Sequence, residues 1–181
     1  MGRARQIPIL LTLAALWAGC AHYRVGAGAD PSFHTLYIAP AENKTLAAQA
    51  RAPMSAQLRE AFERDGRVTL VDGPDAADAT LEVTLSRYHR EVAANREDDT
   101  GLARKFTLFL SATCTLRDNR SGRTLFEKRV VTVQREAFVD NGLGDVPFGL
   151  SSSQLQSEYN TFPLLADALA AKVAHTVLDV W

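Results

Sequence analysis

Cys20 is the residue whose position most directly implies chemistry. It follows Trp17-Ala18-Gly19, which come after a short apolar run at 7–16 and a start that contains two arginines. A charged start, a short apolar stretch and small residues before a cut are the layout of a secretory signal peptide. The apolar run is shorter than the roughly 20 residues that a membrane-spanning helix needs. A cysteine at the cut site is typical of a bacterial lipobox, in which the thiol is acylated after export.

This lipobox departs from the usual pattern at one position. Trp17 lies three residues before Cys20, where leucine is usual, whereas Ala18 and Gly19 fit. Two interpretations remain open: a lipoprotein signal with palmitate added at Cys20, or an ordinary signal peptide in which Cys20 is incidental. The first predicts a signal peptide at 1–19, a lipidated tether at 20–33 and a single domain at 34–181. Stable anchoring would need more than one acyl chain.

The remaining polar residues form no recognisable catalytic motif. The four histidines are scattered, and the sequence contains no HExxH pair, phosphate-binding loop or nucleophile elbow. Cys114 falls on an apolar strand face, where a thiol behaves as a small hydrophobic group. The sequence therefore predicts a protein that is not an enzyme and has no cofactor and no metal site.

The composition favours a folded, exported domain. The chain carries 20 Lys and Arg against 21 Asp and Glu, and the loss of a signal peptide with two arginines would make it more acidic. That balance argues against a nucleic-acid partner. An apolar content of 46% is ordinary for a protein with a hydrophobic core.

Apolar periodicity predicts an α+β domain. Strands are expected at 34–39, 67–71, 79–92, 102–116 and 124–138, and helices at 53–65 and from about Ser153 to near the C-terminus. Residues 41–45, 93–101 and 140–153 are expected to form loops, and a β-bulge is possible near Arg129. Runs of strands with two helices indicate a two-layer sandwich. The expected fold is a mixed or antiparallel sheet of about four to five strands with two helices packed on one face.

The expected strand at 102–116 separates two kinds of side chain most clearly. One face carries Phe106, Leu108, Leu110, Ala112, Cys114 and Leu116. The opposite face includes Thr107, Phe109, Ser111 and Thr113, which are the candidate partner-facing residues. This second face is either a solvated, threonine-rich surface, which strands favour anyway, or a docking surface for a partner.

Cations near the hairpin tip are candidate ligands for the phosphates of an anionic glycolipid. Those chosen are Arg90, Arg104 and Lys105, near the ends of the sheet. Carboxylates in the same stretch weaken the positive electrostatic potential of these cations. The alternative is a solvated hairpin tip whose opposite charges compensate one another.

Six segments occur in the order found in one family of envelope proteins. They are His22–Gly26 directly after Cys20, then Leu36–Thr45, Leu58–Phe62, Arg67–Val71, Ala77–Val83 and Asp118–Leu125. In this order, behind a lipobox, the chain resembles the LPS-assembly lipoprotein family, LptE. The resemblance covers essentially the whole chain after the signal peptide.

The resemblance implies a place and a partner. Members of that family sit in the outer membrane, plug the lumen of the β-barrel translocon LptD, help it assemble and support lipopolysaccharide delivery to the outer leaflet. Ala21 after the cysteine resembles an outer-membrane sorting signal, which implies a lipid-anchored protein at the periplasmic face. Direct binding of lipopolysaccharide is a further expectation. The alternative is another envelope lipoprotein that serves as an accessory subunit of a secretion or cell-envelope complex.

Overall fold

The computed structural model describes residues 31–96, 99–138 and 152–179. The predictions for the signal peptide, for Cys20 and for most of the tether lie outside these residues. The elements in chain order are β1 (Thr35–Ile38), β2 (Glu42–Asn43), α1 (Arg51–Asp65), β3 (Thr69–Val71), β4 (Ala79–Arg96), β5 (Asp99–Asp118), β6 (Thr124–Phe138) and α2 (Ser152–Leu178).

The predicted α+β two-layer sandwich is confirmed. The described strands form one mixed sheet in the order β3-β1-β4-β5-β6, and the two-residue β2 also pairs with β4. β1 is parallel to both β3 and β4, whereas β4, β5 and β6 form an antiparallel meander. Sequential antiparallel strands flanked by helices bury one face of the sheet and leave the other uncovered.

The core lies between the two helices and one face of the sheet. The alternation predicted for β5 is confirmed, because Leu108, Leu110, Ala112 and Cys114 are all fully buried. They share one hydrophobic cluster with residues of both helices: Leu58 and Phe62 of α1, and Leu165, Leu169 and Val173 of α2. We call the sheet face that carries this cluster the inner face and the opposite one the outer face.

The prediction of a loop at 41–45 is wrong, because β2 lies within it. Pro40 ends β1, yet the chain continues along the same edge of β4. The N–H of Ala39 donates to the carbonyl of Leu81 at 3.0 Å, and the N–H of Lys44 donates to that of Leu85 at 3.0 Å. Two paired residues are too few to produce a period that the sequence could display.

The loop predicted at 93–101 is also wrong in extent, because most of this stretch belongs to the two strands of the hairpin. β4 continues to Arg96 and β5 begins at Asp99, so both strands run into the polar stretch. Backbone pairing propagates along the hairpin there without the apolar alternation by which strands are recognised.

Several register shifts interrupt the long strands, among them a bulge in β4 and an irregularity in β6 that alter the direction of side chains. Ser86 is an extra residue in β4, because Leu85 pairs with Ala112 and Arg87 with Ser111. In β6 the irregularity lies at Glu127 and Lys128, just before the predicted position, and Lys128 has a positive φ of 49°. Each bulge reverses which face the following residues occupy relative to simple alternation.

The C-terminal end of α1 is fixed by a glycine. Gly66 ends α1 with a φ of 76° and donates its N–H to the carbonyl of Phe62 at 3.1 Å. This left-handed conformation is cheap only for glycine. α2 begins at Ser152, next to the predicted start at about Ser153, and contains Pro163. The span Leu155–Leu178 is long and apolar enough to cross a membrane, but 56% of its most apolar window is buried inside the protein.

Candidate functional site

The outer face of the sheet is left uncovered by the two described helices. Thr107, Phe109 and Thr113 lie on it and are partly exposed. Ser111 shares this face but is only 7% exposed, because neighbouring strands enclose it. The structure therefore places the four candidate partner-facing residues together, in one line along β5.

An aromatic stack lies near the middle of this line. The rings of His89 and Phe109 are 4.7 Å apart between centroids and 9° from parallel, and the two residues pair directly across β4 and β5. Nε2 of His89 lies 3.4 Å from a carboxylate oxygen of Glu91. Nδ1 of His89 is buried without a hydrogen-bond partner among the described residues.

Sequence reasoning missed His89 as part of this surface. The bulge at Ser86 changes the parity of β4, so alternation counted from Leu81 or Val83 assigns His89 to the wrong face. The pairing of His89 with Phe109 can be recognised only when the register of the hairpin is known.

The hydroxyl groups of the outer face are largely used within the sheet. Those of Ser111 and Thr132 share a hydrogen bond of 2.9 Å. The hydroxyl of Ser86 donates to the carbonyl of Ser111 at 3.3 Å, and that of Thr113 donates to the carbonyl of Thr84 at 3.4 Å. Hydroxyl groups that are paired in this way can lie against a partner without being left unsatisfied.

Arg90 lies on the inner face, beyond the hydrophobic core. Its Nη1 is 2.6 Å from Oε1 of Glu158 on α2, and the hydroxyl of Tyr88 donates to the other carboxylate oxygen at 3.2 Å. The Tyr88 ring also meets Phe162 edge-on, with centroids 6.1 Å apart. Burial raises the pKa of Tyr88 above its usual range. This cluster holds the N-terminal half of α2 against β4.

Lys105 lies on the opposite face from Arg90. Its Nζ is 2.6 Å from Oε1 of Glu136 and 5.6 Å from the ring centroid of Phe138. The structure therefore does not bring the candidate phosphate ligands Arg90 and Lys105 together, and each already has a carboxylate partner. The side chain of Arg104 lies outside the described residues.

A second surface feature lies at the other end of the sheet. Residues of the β5–β6 turn and of the segment before β4 enclose an open cleft of about 580 Å³ lined by Pro74, Asp75, Ala77, Arg117, Asp118, Asn119, Arg120 and Gly122. Arg120 is paired with Asp78. Because the cationic and acidic groups in the lining balance, the cleft has no marked preference for an anion.

The described residues present no constellation for covalent or metal chemistry. Cys114 is fully buried on the inner face, as predicted, and burial raises the pKa of its thiol to about 12. Within the described ranges, no three of His, Cys, Asp and Glu come together as metal ligands would. The prominent features are thus surfaces for contact.

Solved structures with a similar fold include three bacterial proteins. A minor lipoprotein from Acinetobacter baumannii is 17% identical, with 81% of this chain and 92% of that chain covered and a TM-score of 0.50. An uncharacterized lipoprotein B from Nitrosomonas europaea is 14% identical, with 87% and 88% covered and a TM-score of 0.50. PelC from Paraburkholderia phytofirmans, solved as a dodecamer, is 14% identical, with 86% and 96% covered and a TM-score of 0.50. At these identities the likeness concerns the fold.

Family membership rests on a separate finding. No curated protein sequence matches the chain. A family model described as "LptE: Lipopolysaccharide-assembly" does match it, over residues 33–178. That range contains all the strands and helices of the sandwich. The chain therefore belongs to the LptE family of lipopolysaccharide-assembly proteins.

Proposed function

We propose that this protein is a lipid-anchored lipoprotein on the periplasmic face of the outer membrane. There it plugs the LptD β-barrel, helps it assemble and supports the transport of lipopolysaccharide to the outer leaflet. The observation that carries the proposal is the family match over residues 33–178. The role is one of binding and positioning and involves no catalysis.

The dimensions of the sheet support a plug. β5 has 20 residues, so it extends about 65 Å at the usual rise of a strand. The apolar band of an outer-membrane barrel is about 25 Å tall, so the β4–β5 hairpin is long enough to pass through it. A polar outer face with its hydroxyls paired suits the polar lumen of a large barrel.

The chain enters the domain at one end of the long hairpin. The carboxylate of Asp78 accepts the N–H groups of His34 and Thr35 at 2.9 and 3.0 Å, which fixes the start of β1 beside the start of β4. A tether over 20–33 reaches at most about 50 Å when fully extended. Acylation at Cys20 would therefore keep this end of the domain within about 50 Å of the membrane surface.

Direct contact with lipopolysaccharide is the finer part of the proposal. Arg90, Arg104 and Lys105 are the proposed ligands for its phosphates. Since Arg90 and Lys105 are paired with Glu158 and Glu136, an anion would have to compete with a carboxylate 2.6 Å away in each case. Binding at these positions would accordingly weaken steeply as salt is raised.

Purification from outer membranes tests the proposal. The full chain should incorporate labelled palmitate, a Cys20→Ser variant should not, and the chain should co-purify with LptD. Depletion of the chain should reduce lipopolysaccharide at the cell surface. Recovery of the acylated chain in a different assembly without LptD would instead favour an accessory subunit of another envelope complex.

A further inference from the structure

Over the distal half of β4, one edge is left unpaired by the described strands. β1 pairs with β4 only at Ala79–Leu81, and β2 pairs with it only at Thr84 and Leu85. Beyond Leu85, no strand among the described residues pairs with this side of β4, while the opposite side stays paired to β5. We call the unpaired backbone between Tyr88 and Val92 the open edge.

The register of the hairpin shows which backbone groups face outward. The carbonyl of Leu85 points toward β2, since it accepts the N–H of Lys44 at 3.0 Å. After the bulge at Ser86, Arg87 pairs with Ser111 and the alternation is reset. In an antiparallel ladder every second residue directs both its N–H and its C=O away from the partner strand. Tyr88, Arg90 and Val92 are those residues along the open edge.

The edge strand at the other side of the sheet is protected differently. Along β6, Nζ of Lys172 donates to the carbonyl of Thr132 at 2.8 Å, and the hydroxyl of Ser157 donates to that of Phe138 at 2.7 Å. Nη1 of Arg135 donates to the carbonyl of Gln134 at 3.3 Å. Proteins commonly block exposed strand edges in such ways, because unpaired edges recruit other strands.

The residues that the structure describes give the open edge no comparable protection. Among the described residues, no side chain donates to a backbone carbonyl between Tyr88 and Val92, although Tyr88 and Arg90 themselves contact α2 through Glu158. Exposed apolar side chains occur on both elements that this contact joins: Val92 of β4 is 57% exposed, and Leu155 and Tyr159, before and after Glu158 in α2, are 51% and 64% exposed. Among the described residues, unpaired backbone groups and uncovered apolar side chains thus occur on the two elements that Glu158 connects.

We propose that a partner protein adds an extended strand to the open edge of β4, with apolar side chains directed toward α2. An extended backbone is the partner that matches outward N–H and C=O groups at every second residue. A second copy of this chain fits less well, since antiparallel pairing centred on Arg90 would place two arginines opposite each other. The proposal rests on the proposed function in one respect: LptD is the partner to be tested.

Residue-resolved hydrogen exchange of the full chain, free and in complex with co-expressed LptD, tests the pairing. In the free chain, the N–H groups of Tyr88, Arg90 and Val92 should exchange fast, while those of His89 and Glu91 are protected by β5. In the complex, hydrogen exchange of the N–H groups of Tyr88, Arg90 and Val92 should become at least tenfold slower. If LptD binds and these three remain unprotected, the strand addition is wrong and the proposed function stands. If LptD does not bind at all, the proposed function fails.

Proline substitutions test the same groups independently. Val92→Pro removes one outward N–H and should leave the fold intact, because proline is tolerated at a free edge. Glu91→Pro removes an N–H of the ladder and should destabilise the chain. Val92→Pro should weaken binding of LptD about three- to tenfold, whereas Val92→Ala, which keeps the N–H, should lose less. Gln134→Pro on the protected edge is the matched control and should bind as the unchanged chain does.

Three results would overturn the proposal. The first is equal binding of the Val92→Pro and Val92→Ala variants. The second is unfolding of Val92→Pro to the same degree as Glu91→Pro, because that would place the Val92 N–H in the ladder. The third is protection of the outward groups in the free chain together with a dimer in sedimentation, because a second copy would then occupy the edge.

Discussion

Arg67 and Asp179 join the C-terminal ends of the two helices through an ion pair of 2.7 Å. Arg67 follows α1, and Asp179 follows α2. The same guanidinium contacts both carboxylate oxygens of Asp65 at 2.7 and 3.0 Å and donates to the carbonyl of Leu178 at 3.3 Å. The side chains of Arg67 and Asp65 are only 15% and 18% exposed, whereas that of Asp179 is 40% exposed.

Replacement of Arg67 by alanine should destabilise the fold. The change leaves the largely buried Asp65 without its cation and removes one partner of the more exposed Asp179, and we expect the free energy of unfolding to fall by about 2 kcal/mol. Urea denaturation measures it. Arg64→Ala is the control, since Arg64 is 57% exposed and its pairs with Glu60 and Asp167 lie at the surface. Equal losses in the two variants would contradict a special role for Arg67.

Stability should fall in acid partly through the same cluster. Hydrogen bonds from Arg67 hold the pKa values of Asp65 and Asp179 below the usual range. A carboxyl group whose pKa is lowered by folding stabilises the folded state above its unfolded pKa, about 3.9. That stabilisation is lost as the pH falls from about 4 through the lower, folded pKa. Urea unfolding at several pH values should therefore show a shallower acid decline for Arg67→Ala than for the unchanged chain.

The core of this fold was predictable because its apolar residues recur at a regular spacing in the sequence. The alternation at Leu108, Leu110 and Cys114 survives in the structure since β5 has no bulge there, and the burial of its inner face is complete. Gly66 likewise ends α1 as its residue type suggests, because its positive φ suits glycine. Local chemistry determines these features, so one sequence reveals them.

The surface features depended on contacts between distant segments. The extra residue Ser86 reverses the faces of Arg90 and His89, and no local pattern marks it as a bulge. Arg90 was chosen as a candidate ligand for phosphate because it precedes the predicted hairpin tip, and its contact with Glu158, on a helix that begins more than 60 residues later, is visible only in the structure. The unpaired edge of β4 depends on where β2 leaves the sheet, which the sequence does not display.

Cys114 should behave as an inert thiol in the folded chain. It is fully buried, and its raised pKa of about 12 leaves almost no thiolate at pH 8. A Cys20→Ser variant leaves Cys114 as the only thiol. Ellman's reagent should then label no thiol in the native state and one per chain in urea. Rapid labelling without denaturant would show that the inner face of β5 opens readily.

Two leucines of α2 should respond differently to the same change. Leu169 is fully buried, whereas Leu164 is 59% exposed. Leu169→Ala should lower the free energy of unfolding by about 2–5 kcal/mol through lost burial and a residual cavity. Leu164→Ala should change it by less than about 0.5 kcal/mol. Thermal or urea unfolding of both variants checks this. Similar losses would mean that the outward side of α2 is covered in solution.

The side chains that donate hydrogen bonds to the outward carbonyls of β6 should keep the free chain from associating through that edge. Lys172 and Ser157 donate to carbonyls that would otherwise accept hydrogen bonds from a second strand. Lys172→Ala combined with Ser157→Ala exposes both carbonyls, and self-association should become about three- to tenfold tighter. Sedimentation velocity of the full chain in detergent over a concentration series measures this. Lys172→Arg with Ser157→Thr keeps both donors and should sediment like the unchanged chain. If the double alanine variant also sedimented like the unchanged chain, the twist and charge of β6 alone would block that edge. Side-chain donors along β6 would then no longer distinguish it from the open edge of β4 among the described residues.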